Sequence, residues 1–160
     1  MIVFNPDRCV GCYACQVACK VERGLPAGAC GITVLSYESL DGGGERRVHY
    51  RALLCHHCAD APCVRICPVR AVTRDKNGIV SVASEKCIGC RLCSMACPHS
   101  IPSFNDRQQM TKCNLCIERI EAGLKPACVA GCPVAALELE DPREISVRKR
   151  RGLLRKRCCL

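Results

Sequence analysis

Short apolar segments separated by glycine-rich or polar turns run along the chain, and they predict a protein built mainly from short strands. Residues 32–40 and 46–54 flank the stretch Asp41-Gly42-Gly43-Gly44, which is a hairpin signal with a glycine-rich loop. Residues 71–73 and 79–82 flank a second turn, which ends in Asn-Gly. The pattern therefore predicts two β-hairpins.

The remaining elements are expected to be short. Residues 2–4 and 137–140 are predicted edge strands near the two ends of the chain. Helices are predicted over residues 13–21, 91–96 and 115–122, the last stopped by the glycine that follows it. These elements indicate an α+β fold.

Composition shows that a conventional core does not hold this fold together. The chain has 160 residues, of which 19 are Cys and only five are aromatic, with no Trp. So many cysteines indicate either a disulfide scaffold or a metal protein. The first residues do not resemble a secretory leader, and no segment approaches the ~20 apolar residues of a membrane span. We therefore expect a metal protein in a reducing compartment, the cytoplasm.

Sixteen of the cysteines fall into four groups of four, and a Pro follows the last member of three of them. The third group has the spacing C-x2-C-x2-C-x3-C-P, the run of bacterial ferredoxins. The groups are Cys9, Cys12, Cys15 and Cys19; Cys55, Cys58, Cys63 and Cys67; Cys87, Cys90, Cys93 and Cys97; and Cys113, Cys116, Cys128 and Cys132.

The spacing has a physical basis in the shape of a [4Fe–4S] cube. Three thiolates on one tight loop reach three irons of the cube, whereas the fourth cysteine lies about one helical turn later and points away. In ferredoxins with two clusters, that fourth cysteine ligates the other cluster. The Pro that follows fixes φ and ends the short helix.

Zinc is the main alternative metal. Structural zinc sites use two C-x2-C pairs, often with His, but a tetrahedral zinc site would leave the third cysteine of each run unused. His56 and His57 lie between two cysteines of the second group. We interpret them as loop residues whose N–H groups donate to sulfur and tune a cluster, not as ligands.

Three cysteines remain outside the groups. Cys30 is expected to be a small buried apolar residue. Cys158 and Cys159 do not form a prenylation box, because Arg157 occupies the position of the modified cysteine. The sequence assigns this pair no role.

The cysteine motifs resemble those of the four-cluster electron-transfer subunits of the dimethyl sulfoxide reductase type, whose relatives serve formate dehydrogenases, hydrogenases, carbon monoxide dehydrogenases and tungsten aldehyde oxidoreductases. The resemblance covers residues 1–140. It rests on the second, third and fourth groups. The second begins Cys55-His56-His57-Cys58, has four residues between Cys58 and Cys63, and ends in Cys67-Pro68. The fourth begins Lys112-Cys113-Asn114-Leu115-Cys116 and has eleven residues between Cys116 and Cys128.

The resemblance implies that the groups exchange their last members, so that the chain holds four [4Fe–4S] clusters. It also implies two ferredoxin-like units: residues 1–54 with 103–142, and an inserted unit of residues 55–102, followed by a tail of residues 143–160. The implied ligand sets are Cys9, Cys12, Cys15 and Cys132; Cys113, Cys116, Cys128 and Cys19; Cys55, Cys58, Cys63 and Cys97; and Cys87, Cys90, Cys93 and Cys67.

The function expected from this resemblance is electron transfer, with catalysis left to a large partner subunit that holds a molybdenum or tungsten cofactor. The short chain without a membrane helix favours a cytosolic aldehyde oxidoreductase or formate dehydrogenase as the partner, and a second redox protein is expected at the other end of the path. Two alternatives are a free soluble polyferredoxin and a zinc-bound nucleic-acid protein. The sequence contains no nucleotide-binding glycine motif of the kind that would indicate an enzyme acting alone.

Positive charge is concentrated in the tail. The chain has a formal net charge of +9, of which residues 143–160 contribute +7. A solvated tail is one interpretation. Four oxidised cubes of about −2 each would make the body acidic, so the tail is expected to contact protein and not nucleic acid. Its predicted partners are the catalytic subunit or another copy of the chain, and copies joined in this way would form arrays.

Overall fold

The computed structural model describes residues 1–40, 42–141, 144 and 147, so that nearly all of the predicted basic tail lies outside the described residues. Within the described part, the strands pair two by two into antiparallel ribbons, and the helices are short. The fold is therefore mixed α and β. Two 3-10 helices, Pro6–Arg8 and Ser84–Lys86, precede the first and third cysteine groups. The strands and α-helices are β1 Ile2–Phe4, α1 Ala14–Arg23, β2 Ile32–Leu40, β3 Arg46–Leu54, α2 Pro62–Arg65, β4 Val72–Arg74, β5 Val80–Val82, α3 Leu92–Ala96, β6 Ser103–Phe104, β7 Met110–Thr111, α4 Ile117–Glu121, α5 Ala127–Ala130 and β8 Leu137–Leu139.

The longest ribbon is the hairpin of β2 and β3, which has the bounds predicted from the sequence. Its register runs from Ile32 opposite Leu54 to Leu40 opposite Arg46. The end nearest the cysteines is buried, whereas the half nearest the tip is exposed. In this exposed half the ring of Tyr37 stacks on that of His49, with centroids 5.1 Å apart. Only the base of this hairpin contributes to the core.

A second ribbon joins the two ends of the described chain. β1 pairs with β8, with Ile2 opposite Leu139. Nearby, α1 packs on α5, and an ion pair of 2.9 Å between Glu22 and Arg119 links α1 to α4. The segments that carry the first and last cysteine groups are thereby held side by side.

The third ribbon is the hairpin of β4 and β5, which confirms the second hairpin predicted from the sequence. The strands begin one residue later than predicted, at Val72 and Val80. The turn closes through Gly78, which has a φ of +82° that favours glycine. Helices α2 and α3 pack against each other beside this hairpin.

Two apolar clusters form the core, and cysteines belong to both. The first contains Ile2, Cys15, Cys19, Ile32, Val34, Leu54, Cys128 and Leu137. The second contains Ala61, Val72, Val80, Cys93 and Met110, with Cys58, Cys63, Cys67 and Cys87 packed against it. Met110 and Phe104 join the second cluster although residues 103–142 were predicted to belong with the first unit.

The predicted helices are confirmed with shifted ends as α1, α3 and α4, and α4 ends before Gly123, which has a φ of +73°. The sequence did not predict the four-residue helices α2 and α5, or the two-residue strands β6 and β7. Segments this short carry no apolar periodicity, and a proline sets the start of both missed helices: Pro62 is the first residue of α2, and Pro126 caps α5.

Candidate iron–sulfur sites

The first candidate site is a cavity that brings the two ends of the described chain together. Its apolar walls include Phe4, Val34 and Leu137. Its thiols come from four cysteines, three from the first group and one from the last: Cys9, Cys12, Cys15 and Cys132. Cys15 is buried and Cys12 is exposed, so the site reaches the protein surface on one side.

A loop with two left-handed residues positions the first three of these thiols. Gly11 has a φ of +67° and Tyr13 a φ of +60°, and a Cβ at Gly11 would overlap the ring of Tyr50. The same geometry recurs in the third cysteine group, where Gly89 has a φ of +70° and Arg91 a φ of +61°. Glycine permits this turn because it has no Cβ.

The second candidate site is the most deeply buried, because all four of its cysteines are buried: Cys19, Cys113, Cys116 and Cys128. A Cβ at Gly31 would lie 2.6 Å from the Sγ of Cys19 and 3.8 Å from the Cα of Cys113, so this glycine leaves room for close packing. Burial raises the pKa of the Cys128 thiol, and its neighbours Cys113, Cys19 and Cys116 raise it further.

The third candidate site is a cavity in the middle of the described chain. It is lined by prolines, by Ile101 and by the rings of His56 and His99, whose centroids are 4.3 Å apart. Four cysteines line it, three from the second group and one from the third: Cys55, Cys58, Cys63 and Cys97. Burial raises the pKa of the Cys63 thiol, and Cys55 and Cys97 contribute in the same direction.

The fourth candidate site involves the remaining cysteines, Cys67, Cys87, Cys90 and Cys93. Cys67, Cys87 and Cys93 pack in the second apolar cluster, whereas Cys90 is exposed. Burial raises the pKa of Cys93 to about 11, and Cys87 and Cys90 raise it as well. The cysteine that closes the second group thus lies in the same cluster as members of the third.

Backbone N–H groups donate to cysteine sulfur at every one of these sites. In two matching Cys-Pro segments, Ala71 donates to Cys67 Sγ and Ala136 donates to Cys132 Sγ, both at 3.2 Å. Other bonds run from Leu115 to Cys113, from Met110 to Cys87 and from His57 to Cys55, at 3.3, 3.3 and 3.4 Å. Such bonds are one means by which a protein sets cluster potentials.

His57, one of the two histidines of the second group, is held by hydrogen bonds of both its main chain and its ring. The main chain of His57 supplies one of the bonds to sulfur, as expected of a loop residue, and its side-chain Nδ1 accepts from the N–H of Val80 at 3.0 Å. Burial lowers the pKa of His57 to about 3, and the nearby Lys112 lowers it too. The ring is therefore neutral with its proton on Nε2, which is buried and, among the described residues, lacks a hydrogen-bond partner.

Sequence reasoning missed a buried lysine among these sites. The side chain of Lys112 reaches the Sγ of Cys55 and the carbonyl oxygens of Val80 and Cys113. The only sequence signal is its position directly before a cysteine, which Lys86 shares, and Lys86 is exposed. Position before a cysteine therefore does not distinguish the buried lysine from the exposed one.

The donor set fits [4Fe–4S] clusters. Burial raises the pKa of Cys15 and Cys113 to about 11, so ionising these thiols needs a compensating positive charge, which iron supplies. Within residues 1–40 and 42–141, no group of three or more His, Cys, Asp or Glu side chains is placed to hold a single metal ion. The cysteines of the first and third sites instead line cavities, four to each, as ligands of a cube do.

The cysteines outside the four groups are only partly described. Cys30 is half-buried, and its backbone N–H and C=O both bond to the Ser103 hydroxyl, at 3.1 and 3.0 Å. Cys158 and Cys159 lie outside the described residues.

No helix in the described part of the chain has the length and apolar character needed to cross a membrane.

Comparison with protein families identifies two matching regions. A family described as a 4Fe-4S dicluster domain matches residues 46–142, and one described as a 4Fe-4S binding domain matches residues 1–25. Together these regions contain all sixteen grouped cysteines.

Individual relatives are named as components of reductases. The chain is 35% identical over 154 residues to a chain of the anaerobic dimethyl sulfoxide reductase of Haemophilus influenzae, an alignment that covers 91% of this chain and 75% of the relative. It is 40% identical over 145 residues to a subunit of the tetrathionate reductase of Salmonella typhimurium, covering 89% of this chain and 58% of the relative. It is 39% identical over 153 residues to the thiosulfate reductase electron transfer subunit of Salmonella typhi, covering 93% and 79%.

These relatives correct one expectation drawn from the sequence. The expected partner was an aldehyde oxidoreductase or a formate dehydrogenase, whereas the names of the relatives above refer to reductases of dimethyl sulfoxide, tetrathionate and thiosulfate. The cysteine motifs are shared across the wider family, so they carry no information about which catalytic subunit is served.

Proposed function

The chain belongs to the 4Fe-4S dicluster family, and we propose that it is the iron–sulfur electron-transfer subunit of a reductase complex that binds four [4Fe–4S] clusters. The observation that carries this proposal is the pair of cavities, each lined by three cysteines of one group and one cysteine of another group. Bound clusters would supply one-electron redox chemistry, and the chain would bind them, insulate them and set their potentials.

The proposed ligands are the four sets of the candidate sites: Cys9, Cys12, Cys15 and Cys132; Cys19, Cys113, Cys116 and Cys128; Cys55, Cys58, Cys63 and Cys97; and Cys67, Cys87, Cys90 and Cys93. The cavity linings support the first and third sets, and the mutual effects of the thiols on pKa support the second. The ribbon of β1 with β8 and the hairpin of β4 and β5 support two ferredoxin-like units, one around each pair of sites.

Contacts between neighbouring sites support a linear path through the four sites. Cys15 of the first site lies in the same apolar cluster as Cys19 and Cys128 of the second. The side chain of Lys112 contacts both Cys113 of the second site and Cys55 of the third. The third and fourth sites share one apolar cluster. We propose that electrons pass through the sites in this order.

The ends of this path are the sites nearest to solvent. Cys12 and Cys90 are exposed, and apolar side chains lie exposed beside them: Val10 is 58% exposed and Ile88 is 65% exposed. Exposed apolar groups beside a redox centre suit contact with a protein partner. We propose that the Cys9 site faces the catalytic subunit and that the Cys87 site faces a second redox protein.

The proposed catalytic subunit is a molybdenum-dependent reductase of a sulfoxide or a sulfur oxyanion, the substrates named for the relatives. This chain would have no substrate site of its own. The cytoplasm remains the proposed location, because free thiols that assemble clusters need a reducing compartment.

Purification of the chain under anaerobic conditions from its native source tests the proposal. We expect a brown protein with broad visible absorption, about sixteen iron and sixteen sulfide per chain, and a large subunit that co-purifies and reduces a sulfoxide or sulfur oxyanion. Iron and sulfide without a large subunit would favour the free polyferredoxin. Stoichiometric zinc without sulfide would overturn the proposal.

A further inference from the structure

Lys112 is a buried cation with its three donors fully used. The residue is only 3% exposed. Its Nζ donates to the carbonyl oxygen of Val80, to that of Cys113 at 2.8 Å, and to the Sγ of Cys55 at 3.5 Å. A lysine that donates to three acceptors is an ammonium group, because each bond requires its own proton.

The ammonium group lies between two candidate cluster sites. Its Nζ contacts Cys55 of the third site and the main chain of Cys113 in the second. One positive charge is thus shared by the two inner sites of the proposed path.

The charge of Lys112 is not balanced by an ion pair with a carboxylate in the described part of the chain. Among the ion pairs formed within the described residues, none includes Lys112. Asp75 and Glu118 line a cavity with Lys112 without forming such a pair. Burying an ammonium without a close counter-charge is costly in free energy. The nearest groups that become anionic when a cluster binds are the Cys55 and Cys113 thiolates and the sulfides that they would hold.

Internal comparison shows that the cysteine loop itself does not require a cation. Leu54 stands before Cys55 in the position that Lys112 occupies before Cys113, and it is buried as an apolar residue. Lys86 stands in the same position before Cys87, but it is exposed to solvent. A buried lysine at this position is therefore specific to the contact between the two inner sites.

We propose that the Lys112 ammonium raises the reduction potentials of the two inner clusters, most strongly that of the cluster held by Cys55. The inference rests on the proposed function. One-electron reduction of a [4Fe–4S] core from +2 to +1 adds one negative charge, and no bond breaks and no proton moves. The ammonium favours that added charge through a short-range interaction that solvent screens poorly. The electron comes from the catalytic subunit or the second redox protein, or from dithionite in a titration.

The test is a potentiometric titration of the anaerobically purified full chain, followed by electron paramagnetic resonance. Lys112→Met removes the charge and keeps most of the side-chain length, whereas Lys112→Arg keeps the charge. Lys86→Met is the matched control, since it removes an exposed lysine from the same position of another cysteine group. We expect Lys112→Met to lower the midpoint of one or two clusters, with Lys112→Arg and Lys86→Met close to wild type.

Iron and sulfide analysis separates the failure of this inference from the failure of the proposed function. A wild-type chain without iron and sulfide would overturn both. Unchanged midpoints in an iron-replete Lys112→Met protein would overturn only the role of Lys112, as would an equal shift in Lys86→Met. If Lys112→Met does not hold iron, Lys112→Gln, which retains a donor for Val80, is titrated instead. Iron loss from both variants would show a structural role and overturn the inference.

Discussion

Cys132 lines the same cavity as Cys9, although the two residues lie near opposite ends of the described chain. The pairing of β1 with β8 creates this relationship, because it places the segment before the first cysteine group beside the segment after the last. The chain is thus closed on itself around a group of thiols. Loss of either cysteine is therefore expected to affect a site built from both ends.

The exchange of cysteines between groups is testable with two single substitutions. We expect Cys132→Ser to damage the cluster of Cys9, and Cys19→Ser to damage the cluster of Cys113, each with the loss of about a quarter of the iron. Cys30→Ser is the control, because Cys30 lies outside the four groups, and it should retain the full iron content. Resonance spectra that show each substitution acting within its own sequence group would contradict the exchanged arrangement.

Removal of the clusters is expected to unfold the protein. Cysteines contribute to both apolar clusters, and Met110 is one of few large side chains that are fully buried, so little core would remain without the metal. Metal binding and folding are coupled in such proteins. Anaerobic chelation followed by far-ultraviolet circular dichroism should show the loss of ordered structure. A stripped chain with the native spectrum would refute this expectation.

Gly11→Ala is expected to disrupt the first site specifically. The added Cβ would meet the ring of Tyr50, and the φ of +67° is unfavourable for alanine. Gly24→Ala is the matched control, since Gly24 has a φ of +55° but no atom within 4 Å of the added Cβ. Gly24→Ala should lower the free energy of unfolding by about 1 kcal/mol and keep its iron. Gly11→Ala should lose the cluster held by Cys9. Equal iron content in the two variants would argue against the close fit of Gly11 to Tyr50.

The basic tail is expected to strengthen assembly with the catalytic subunit. Residues 143–160 carry a net charge of +7, and exposed charges are screened within about 8–10 Å at physiological ionic strength. Deleting residues 143–160 should weaken complex formation severalfold at low salt and much less at high salt, as measured by the binding of purified subunits. Equal binding of both chains at low salt would assign the tail another purpose.

The sequence by itself determined the longest hairpin of this protein and the kind of chemistry that its cysteines support. The hairpin of β2 and β3 has the predicted bounds, because apolar segments on either side of a glycine-rich turn specify pairing through neighbouring residues. The cysteine spacing likewise indicated iron–sulfur chemistry, since the reach of three thiolates around one cube is a property of a short loop. Both features depend on residues close together in the chain.

Only the tertiary structure decided which side chains are buried between the sites, because that depends on residues far apart in the chain. Lys86 and Lys112 both stand directly before a cysteine, yet of the two only Lys112 is buried. Lys112 directly follows β7 and lies between two thiol sites, whereas Lys86 faces solvent. The short helices α2 and α5 and the place of Met110 in the second apolar cluster were equally absent from the sequence pattern. Burial is a property of the packed whole, so the position directly before a cysteine does not determine it.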